Sequence, residues 1–582
     1  MLRFTILTLA VAWFAGAQET DDDTYHPHAA FAFIRTGDRT PLLQDGTPVL
    51  TALGAQQMGQ LGQGLRARYI SGTGPAGFGA QRIAGMSRDT LINDQIMVQT
   101  SSEQYLIASA QAFMQGLYPP HNIASGNGTV AKSTSLLSNG SAVDFPMGGY
   151  QYASVQTAGE LDPESIYVAG SASCPTTQRD SMTYYTTNEF KDTRAATKDF
   201  YSKLDKNWVG GYLNQSAMDY INAMSIYEYM QYQYTHNRQI YQNLANDSAY
   251  AGVYDKARSL ADQQAWTLYG NKSSFSTDAS NQAIAGRTLA ATILGSLQKV
   301  IADRSSPGNP TDMSYPLTFF FGEQEPMIAL LSTIMVDRMD PYFRSIPVFG
   351  SALIFELFST GSNSSFPSTK DDLWVRFLYH NGTTAADSSN AKQLIAHPMF
   401  GNGPSRTDMP YREFEDLFSR VMVSNVADWC KACNSASIFC LGLSGSGYPL
   451  TSPTSKQGAH HAVTPVVGGV IGAIVTLVVA ALLFALAMLI GGVRLHRKPR
   501  TERGSALGGF KGSAKLASDP DLSLTKNGAL PAGISFVPEA KRGHERVGSW
   551  ELRQKEFGAR ERDSLDGIDA VAARPVVAEE RV

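Results

Sequence analysis

The chain has 582 residues and a mass of 62.9 kDa, with 43% hydrophobic, 10% aromatic and 17% charged residues. This composition supports a large buried core and excludes a wholly disordered chain. The formal net charge of −4 excludes a nucleic-acid binder that works through bulk positive charge. The charge is unevenly divided, because residues 18–463 carry 30 Lys and Arg against 39 Asp and Glu, whereas residues 494–582 carry 17 against 13.

The first feature in chain order is a short apolar segment. Phe4–Ala15 follows Arg3 and leads into Ala15-Gly16-Ala17. A positive start, an apolar stretch too short to span a bilayer and an Ala-x-Ala exit predict a signal peptide over residues 1–17. A buried N-terminal helix is the alternative interpretation.

Alternating strand patterns and helical patterns follow. His28–Ile34 alternates small and aromatic residues, which predicts a buried strand, and a helix is expected over Thr51–Gly62. Glu103–Gly116 is a second helical stretch. Pro316–Phe321 predicts another buried strand, with a helix over Met327–Met335 behind it.

Between these patterns, residues 181–303 form long helical segments rich in aromatic residues, for example Ala217–Tyr234 and Gln282–Ile301. Strands followed by helices, interrupted by a helical insert, indicate an α/β core with an α-helical subdomain. The predicted ectodomain covers residues 18–440.

All four cysteines, Cys174, Cys430, Cys433 and Cys440, fall in this ectodomain. Cys430-x-x-Cys433 is compatible with zinc, but no second ligand pair stands at finger spacing. We therefore expect disulfides and neither a metal nor another cofactor. Three pairings are possible, of which Cys433–Cys440 with Cys174–Cys430 is preferred.

The C-terminal part contains a second apolar segment. Residues 441–463 are rich in Gly, Ser, Thr and Pro, which predicts a stalk. Val466–Val493 has no charged residue and is long enough to span a bilayer, and Arg494–Arg500 follows it with five basic side chains. Basic residues stay on the cytoplasmic side, so the pattern predicts a type I single-pass protein of the plasma membrane or a secretory-pathway membrane.

Further predictions concern the kind of membrane anchor, the tail and self-association. A removable lipid-anchor signal would end at its apolar stretch, whereas 89 residues follow this one. We expect the tail, residues 494–582, to be disordered. Gly468 and Gly472 stand four apart in the membrane segment, a spacing that favours a homodimer.

Glycosylation sequons lie only in the predicted outer segment. Such sites are expected on surface loops of a secreted domain. The sequons are Asn127, Asn139, Asn214, Asn246, Asn271, Asn363 and Asn381.

The chemistry-bearing motif follows the first strand and reads Arg35-Thr36-Gly37-Asp38-Arg39-Thr40-Pro41. Two arginines four apart suit a phosphate, because each guanidinium is a planar fork of donors. The motif resembles the histidine acid phosphatase and phytase branch of the histidine phosphatase superfamily, whose signature is Arg-His-Gly-x-Arg-x-Pro. Gln99–Pro120 and Phe319–Leu331 look like two further segments of that family. The resemblance implies a phosphoglycerate mutase-like α/β core and phosphate binding by Arg35 and Arg39.

The inherited catalytic positions are degenerate. Thr36 stands where the family has its nucleophilic histidine, and Tyr105 stands where it has a further phosphate-binding arginine. One alignment puts Gln324 at the second histidine and leaves Glu325 as a residual acid, while an alignment shifted by one puts Glu323 and Gln324 there. We prefer the first alignment because it keeps a carboxylate at the proton-donor position.

Three hypotheses follow from this degeneration. The first is a pseudoenzyme that acts in binding, sensing or scaffolding, with phosphate or a phosphorylated small molecule as a possible ligand. The second is a low-activity acid phosphomonoesterase with an altered mechanism, and the third is a structural glycoprotein with a relic pocket. Arg35 and Arg39 could also close the pocket by pairing with Asp38 or Glu325, and the Glu323/Glu325 pair is as suited to be a partner of these arginines as to be a general acid. Rescue by another histidine is disfavoured, and the candidates are His26, His28, His121, His236, His380 and His397.

Overall fold

The computed structural model describes residues 25–72, 79, 81–121, 135–271, 281–305, 314–382 and 394–443. These residues all fall in the first of two units into which the chain divides, Met1–Gln457. The predicted signal peptide, most of the stalk, the segment 466–493, the tail and Asn127 lie outside the described residues. Within the described ranges, no helix is both long and apolar enough to cross a membrane.

A mixed sheet forms the centre of the described structure. Its strands follow the order β3-β2-β4-β1-β5-β6-β7, and β8 pairs with β6. Pairing is parallel from β3 to β1 and antiparallel beyond β1. The strands are β1 Tyr25–Arg35, β2 Ile96–Ser101, β3 Val155–Ala158, β4 Leu317–Gly322, β5 Ala352–Thr360, β6 Leu373–His380, β7 Ile395–His397 and β8 Asp408–Pro410.

Helices surround this sheet and fill the interval between β3 and β4. The ends of the observed helices and strands differ by a few residues from the predicted ends. The described α-helices of six or more residues are α1 Ala52–Arg66, α2 Gln104–Leu117, α3 Pro175–Tyr184, α4 Asn188–Ser202, α5 Ala223–His236, α6 Arg238–Asn246, α7 Val253–Ala265, α8 Ile284–Ser305, α9 Gln324–Thr333, α10 Tyr411–Val421, α11 Val426–Cys433 and α12 Ile438–Leu443.

The alternation along β1 divides the core into two layers. Phe31 and Phe33 point to one face of the sheet, where α8, α9 and α10 cover them. Ala32 and Ile34 point to the other face and pack against α1 and α2. Successive strand residues face opposite sides, so one buried strand contributes to both layers. The predicted α/β core is confirmed.

The helical insert has a core of its own. Helices α4 to α7 bury a cluster dominated by aromatic rings, including Phe190, Trp208 and Tyr220. Helix α8, which the sequence pattern grouped with the insert, instead packs its Leu289 and Ile293 on the central sheet. The insert therefore has a core of its own, and both α5 and α7 pack against α9 at its boundary.

The disulfides differ from the preferred pairing. The structure joins Cys174 to Cys433 and Cys430 to Cys440, so the expected pairs Cys433–Cys440 and Cys174–Cys430 are wrong. Cys430 and Cys433 are three apart on α11 and share one face, so spacing alone cannot decide which of them meets Cys174. Asn434 ends α11 in a left-handed conformation with φ 49°, and the chain turns there to bring Cys440 back to Cys430.

The described sequons are accessible, as a glycosylated surface requires. Glycosylation itself stays a prediction. Asn271 is partly exposed, and the exposed ones are Asn139, Asn214, Asn246, Asn363 and Asn381.

Candidate functional site

The motif loop begins where β1 ends, at the carboxyl edge of the parallel strands. Arg35 lies opposite Gly322, the last residue of β4, and the Thr36 amide donates to the Gly322 carbonyl at 3.1 Å. Gly37 lies directly on α1, and a Cβ there would come within 2.4 Å of the Gly54 carbonyl oxygen. The adjoining strand ends therefore bring the motif together with the residues after β4.

Thr36 is fully buried and its hydroxyl is engaged. Its Oγ1 lies 2.8 Å from the Ser109 Oγ of α2 and donates to the Gly37 carbonyl at 3.1 Å. Ser109 in turn donates to the Tyr105 carbonyl at 2.8 Å. A hydroxyl needs an adjacent base to act as a nucleophile. Among the described residues, no histidine, lysine or carboxylate hydrogen-bonds to Thr36.

Arg39 is held by two carboxylates. Its Nε donates to Glu323 at 2.9 Å and its Nη1 donates to Glu228 at 2.5 Å. Burial lowers the pKa of Arg39, but Glu323 and Glu228 outweigh burial and raise that pKa above its ordinary value. Burial likewise raises the pKa of Glu323, but Arg39 and Arg35 outweigh it and lower that pKa. The ion pair is therefore formed at neutral pH.

Among the described residues, no carboxylate hydrogen-bonds to Arg35. Its Nη1 donates to the Pro347 carbonyl, and its guanidinium lies 4.2 Å from the centre of the Phe349 ring. Burial lowers the pKa of Arg35, and Glu323 counters only part of that shift. Within the described structure, the Arg35 Nε and the Arg39 Nη2 are buried without a hydrogen-bond partner. These two donors are the part of the motif guanidinium groups that the described protein groups leave without hydrogen bonds.

Of the carboxylates expected to pair with the arginines, only Glu323 does so in the described structure. Neither Asp38 nor Glu325 pairs with Arg35 or Arg39 in the described structure. Asp38 instead accepts from Thr51 at 2.5 Å and lies 2.7 Å from His236 Nε2. Its carboxylate is therefore already engaged, and it ties the motif loop to the start of α1.

Helix α5 supplies two site residues: Glu228, which the sequence interpretation missed, and His236, which it named but disfavoured. Glu228 and His236 are eight apart on α5 and contact the adjacent motif residues Arg39 and Asp38. Tyr232, midway between them, packs on the His236 ring at 4.5 Å. The spacing i, i+4, i+8 marks one helix face. That pattern was the available signal, but nothing in the sequence says that this face meets the motif loop.

The remaining histidines do not restore the nucleophile. His26 and His28 lie near the start of β1, where they contact the Gly361 carbonyl and the Ser359 hydroxyl at 2.8 Å each. His121, His380 and His397 form no hydrogen bond with Thr36 either. Among the described residues, no group of His, Cys, Asp or Glu is arranged to hold a metal ion.

A cleft of about 640 Å³ opens beside the motif. Glu103, Glu323 and Glu325 line it, together with Tyr105 in the place of the expected arginine. No lysine, arginine or histidine is among the described residues that line it. Burial raises the pKa of Glu325, and a hydrogen bond with Ser171 only partly offsets that rise. The cleft is acidic, which is unfavourable for a phosphomonoester.

The ion pair of Arg39 predicts a stability effect. Arg39→Met leaves two partly buried carboxylates without their cation, so we expect a loss of on the order of 3 kcal/mol in the free energy of unfolding. Urea unfolding at pH 7 measures it. The control is Arg66→Met, because the Arg66–Asp89 pair is more exposed and spans 3.4 Å, and should cost about 1 kcal/mol or less.

A charge-balanced variant separates lost charge from lost packing. Adding Glu228→Gln and Glu323→Gln to Arg39→Met removes the uncompensated carboxylates, so part of the stability should return. Equal losses in Arg39→Met and Arg66→Met would contradict the assignment.

Glu325 predicts a pH dependence of stability. The folded protein raises the pKa of this carboxyl, so its contribution to stability is present below the unfolded pKa, about 4, and is lost as the pH rises. Glu325→Gln should therefore raise the melting temperature at pH 7 and leave it unchanged near pH 4. The exposed Glu103→Gln is the control. A stabilisation of equal size at both pH values would contradict the explanation.

Comparison with known proteins identifies the family. The model of the histidine phosphatase superfamily (branch 2) matches residues 31–380. The chain is similar to the solved phytase of Citrobacter braakii, with 14% identity, 69% of this chain and 99% of that chain covered, and a TM-score of 0.42. The chain is also similar to the Bifidobacterium longum multiple inositol polyphosphate phosphatase in complex with inositol hexasulfate. The identity is 13%, 70% of this chain and 96% of that chain are covered, and the TM-score is 0.39.

The Hafnia alvei phytase in complex with tartrate is similar at 12% identity, with 70% of this chain and 98% of that chain covered and a TM-score of 0.37. None of the curated proteins matches the chain. The family match covers more than half of the 582 residues, and it confirms the resemblance that the motif indicated. The chain belongs to branch 2 of the histidine phosphatase superfamily.

Proposed function

We propose that this chain is a pseudoenzyme: a single-pass membrane glycoprotein whose histidine acid phosphatase-like ectodomain has lost catalysis and acts in binding, sensing or scaffolding. The observation that carries the proposal is Thr36. A buried threonine hydroxyl bonded to Ser109 replaces the nucleophile, and no base activates it. Without a nucleophile, the covalent route to phosphate hydrolysis is closed.

Two further features support loss of catalysis. Tyr105 replaces a positive charge that the resemblance assigns to phosphate binding, and the Arg39 charge is balanced by Glu228 and Glu323. Stabilisation of a transferring phosphoryl group depends on cationic donors that face it. Most of that positive field is neutralised here, and the cleft beside it is lined by carboxylates.

A second candidate function is favoured by the pair of Asp38 and His236. A carboxylate that contacts one ring nitrogen of a histidine orients the ring, as in other acid–base sites. His236 is partly exposed and contacts Asp38, which precedes Arg39 in the motif, so it could serve a low-activity acid phosphomonoesterase. The unpartnered Arg35 Nε and Arg39 Nη2 support phosphate or a phosphorylated small molecule as the ligand in either case.

The membrane role rests on the sequence. The apolar segment 466–493, the basic run after it and the accessible sequons all agree with a type I glycoprotein. A homodimer through Gly468 and Gly472 would hold two ectodomains together, which suits a receptor or scaffold. Both glycines lie outside the described residues.

Turnover of a generic phosphomonoester tests the proposal. We expect the full-length protein, purified in detergent, to hydrolyse p-nitrophenyl phosphate between pH 3 and 7 no faster than its Arg35→Ala variant. Turnover above that variant would contradict loss of catalysis, and its removal by His236→Ala would support the phosphomonoesterase. If turnover is absent, stabilisation by inorganic phosphate in thermal unfolding separates a binding pocket from a relic.

Restoring the family's side chains at the degenerate positions tests whether the rest of the site can still support phosphatase activity. Thr36→His, Tyr105→Arg and Gln324→His together should give measurable phosphatase activity, whereas each alone should do little because such residues act as a unit. Glu323, rather than Gln324, contacts Arg39, so a parallel set carries Glu323→His in place of Gln324→His. If circular dichroism shows that both triple variants are folded and neither has phosphatase activity, the prediction is contradicted.

A further inference from the structure

A second cavity lies between α8 and the central sheet, and it shares no lining residue with the acidic cleft. It has a volume of about 290 Å³, which suits a small molecule. Its floor is formed by β2 and β4, and its roof by one face of α8. We name it the α8 pocket. Its ligand is independent of whether the Thr36 site is active.

The α8 pocket exists because one face of α8 carries small residues. Ala291, Thr292, Gly295 and Ser296 face it, and a Cβ at Gly295 would meet nothing within 4 Å. The neighbouring face of the same helix fills the core with large residues such as Ile293. Helix and sheet normally pack at the density of a crystal, so a gap of this size between them is an unusual feature.

The floor of the α8 pocket offers polar groups that lack protein partners. Gln99 of β2 and Thr318 of β4 are each only 3% exposed and line the pocket. Among the described residues, neither side chain forms a hydrogen bond. Their polar groups therefore face the pocket without a protein partner, where a polar ligand can reach them.

The rim adds opposite charges that do not pair. Lys299 and Glu164 both line the α8 pocket, and neither forms an ion pair with a described residue. Met97, Tyr167 and Phe320 supply the apolar part of the wall. A ligand with one negative and one positive group, and an apolar remainder, would satisfy all three kinds of surface.

We propose that the α8 pocket binds a free α-amino acid. Its carboxylate would contact Lys299 and its ammonium group Glu164, while the floor groups hydrogen-bond to it and its side chain meets the apolar wall. The volume accommodates one amino acid and excludes a folded peptide. The ectodomain would then respond to a small zwitterion at a place remote from the motif.

The test uses the full-length protein in detergent and free amino acids as probes. Thermal unfolding is measured with each of the twenty L-amino acids, followed by calorimetry with those that act. At least one should raise the melting temperature in a concentration-dependent way. Its N-acetyl and methyl-ester derivatives each lack one charge and should bind about tenfold more weakly or worse. No effect from any amino acid, or equal binding of both derivatives, would overturn the proposal.

Matched variants place the binding in the α8 pocket. Gly295→Leu fills the gap and should abolish the stabilisation, whereas Gly295→Ala fits the open space and should keep it. Lys299→Gln changes an exposed side chain and should weaken binding about tenfold, while the exposed Lys191→Gln should not. The Lys299→Gln variant decides the question even if Gly295→Leu fails to fold. Unchanged binding in Lys299→Gln, or glucose binding in place of amino acids, would refute the assignment.

Discussion

The buried guanidinium of Arg39 is the constraint on which the site depends. Its side chain is 0% exposed, and a charge removed from water requires counter-charges. Glu323 supplies one from the junction of β4 and α9, and Glu228 supplies the other from α5. One side chain therefore links the end of β1 to the neighbouring strand and to the helical insert, so the same contacts that neutralise the site also position the insert.

Under the proposed loss of catalysis, that arrangement explains why the arginine motif is retained. A phosphate-binding site keeps cationic donors free for the ligand, at a cost in stability. Here carboxylates of the protein itself occupy most of the donors of Arg39, and Asp38 is engaged by Thr51 and His236. These contacts hold the motif residues in place whether or not the site is catalytic.

The sequence predicted the parts that depend on local pattern. The alternation in β1 and the α/β core follow from periodicity, whereas the contact of Arg39 with Glu323 follows from the family resemblance, which brings the motif and the residues after β4 into one site. Glu228 was missed and His236 was disfavoured because α5 reaches the motif through a long insert, and helical spacing does not reveal which surface a face contacts. The cysteine pairing failed for a similar reason, since Cys430 and Cys433 share one face of α11.

The protein does not engage every polar group of the motif, and the donors that are left over are informative. Arg35 Nε and Arg39 Nη2 stay without hydrogen-bond partners among the described residues, although buried donors are nearly always satisfied. A fully closed relic would have been expected to cover such donors with carbonyls or carboxylates. The two donors therefore favour the proposed binding of a small anion over a closed relic, whereas the acidic cleft beside them, which neither arginine lines, disfavours a large phosphorylated substrate.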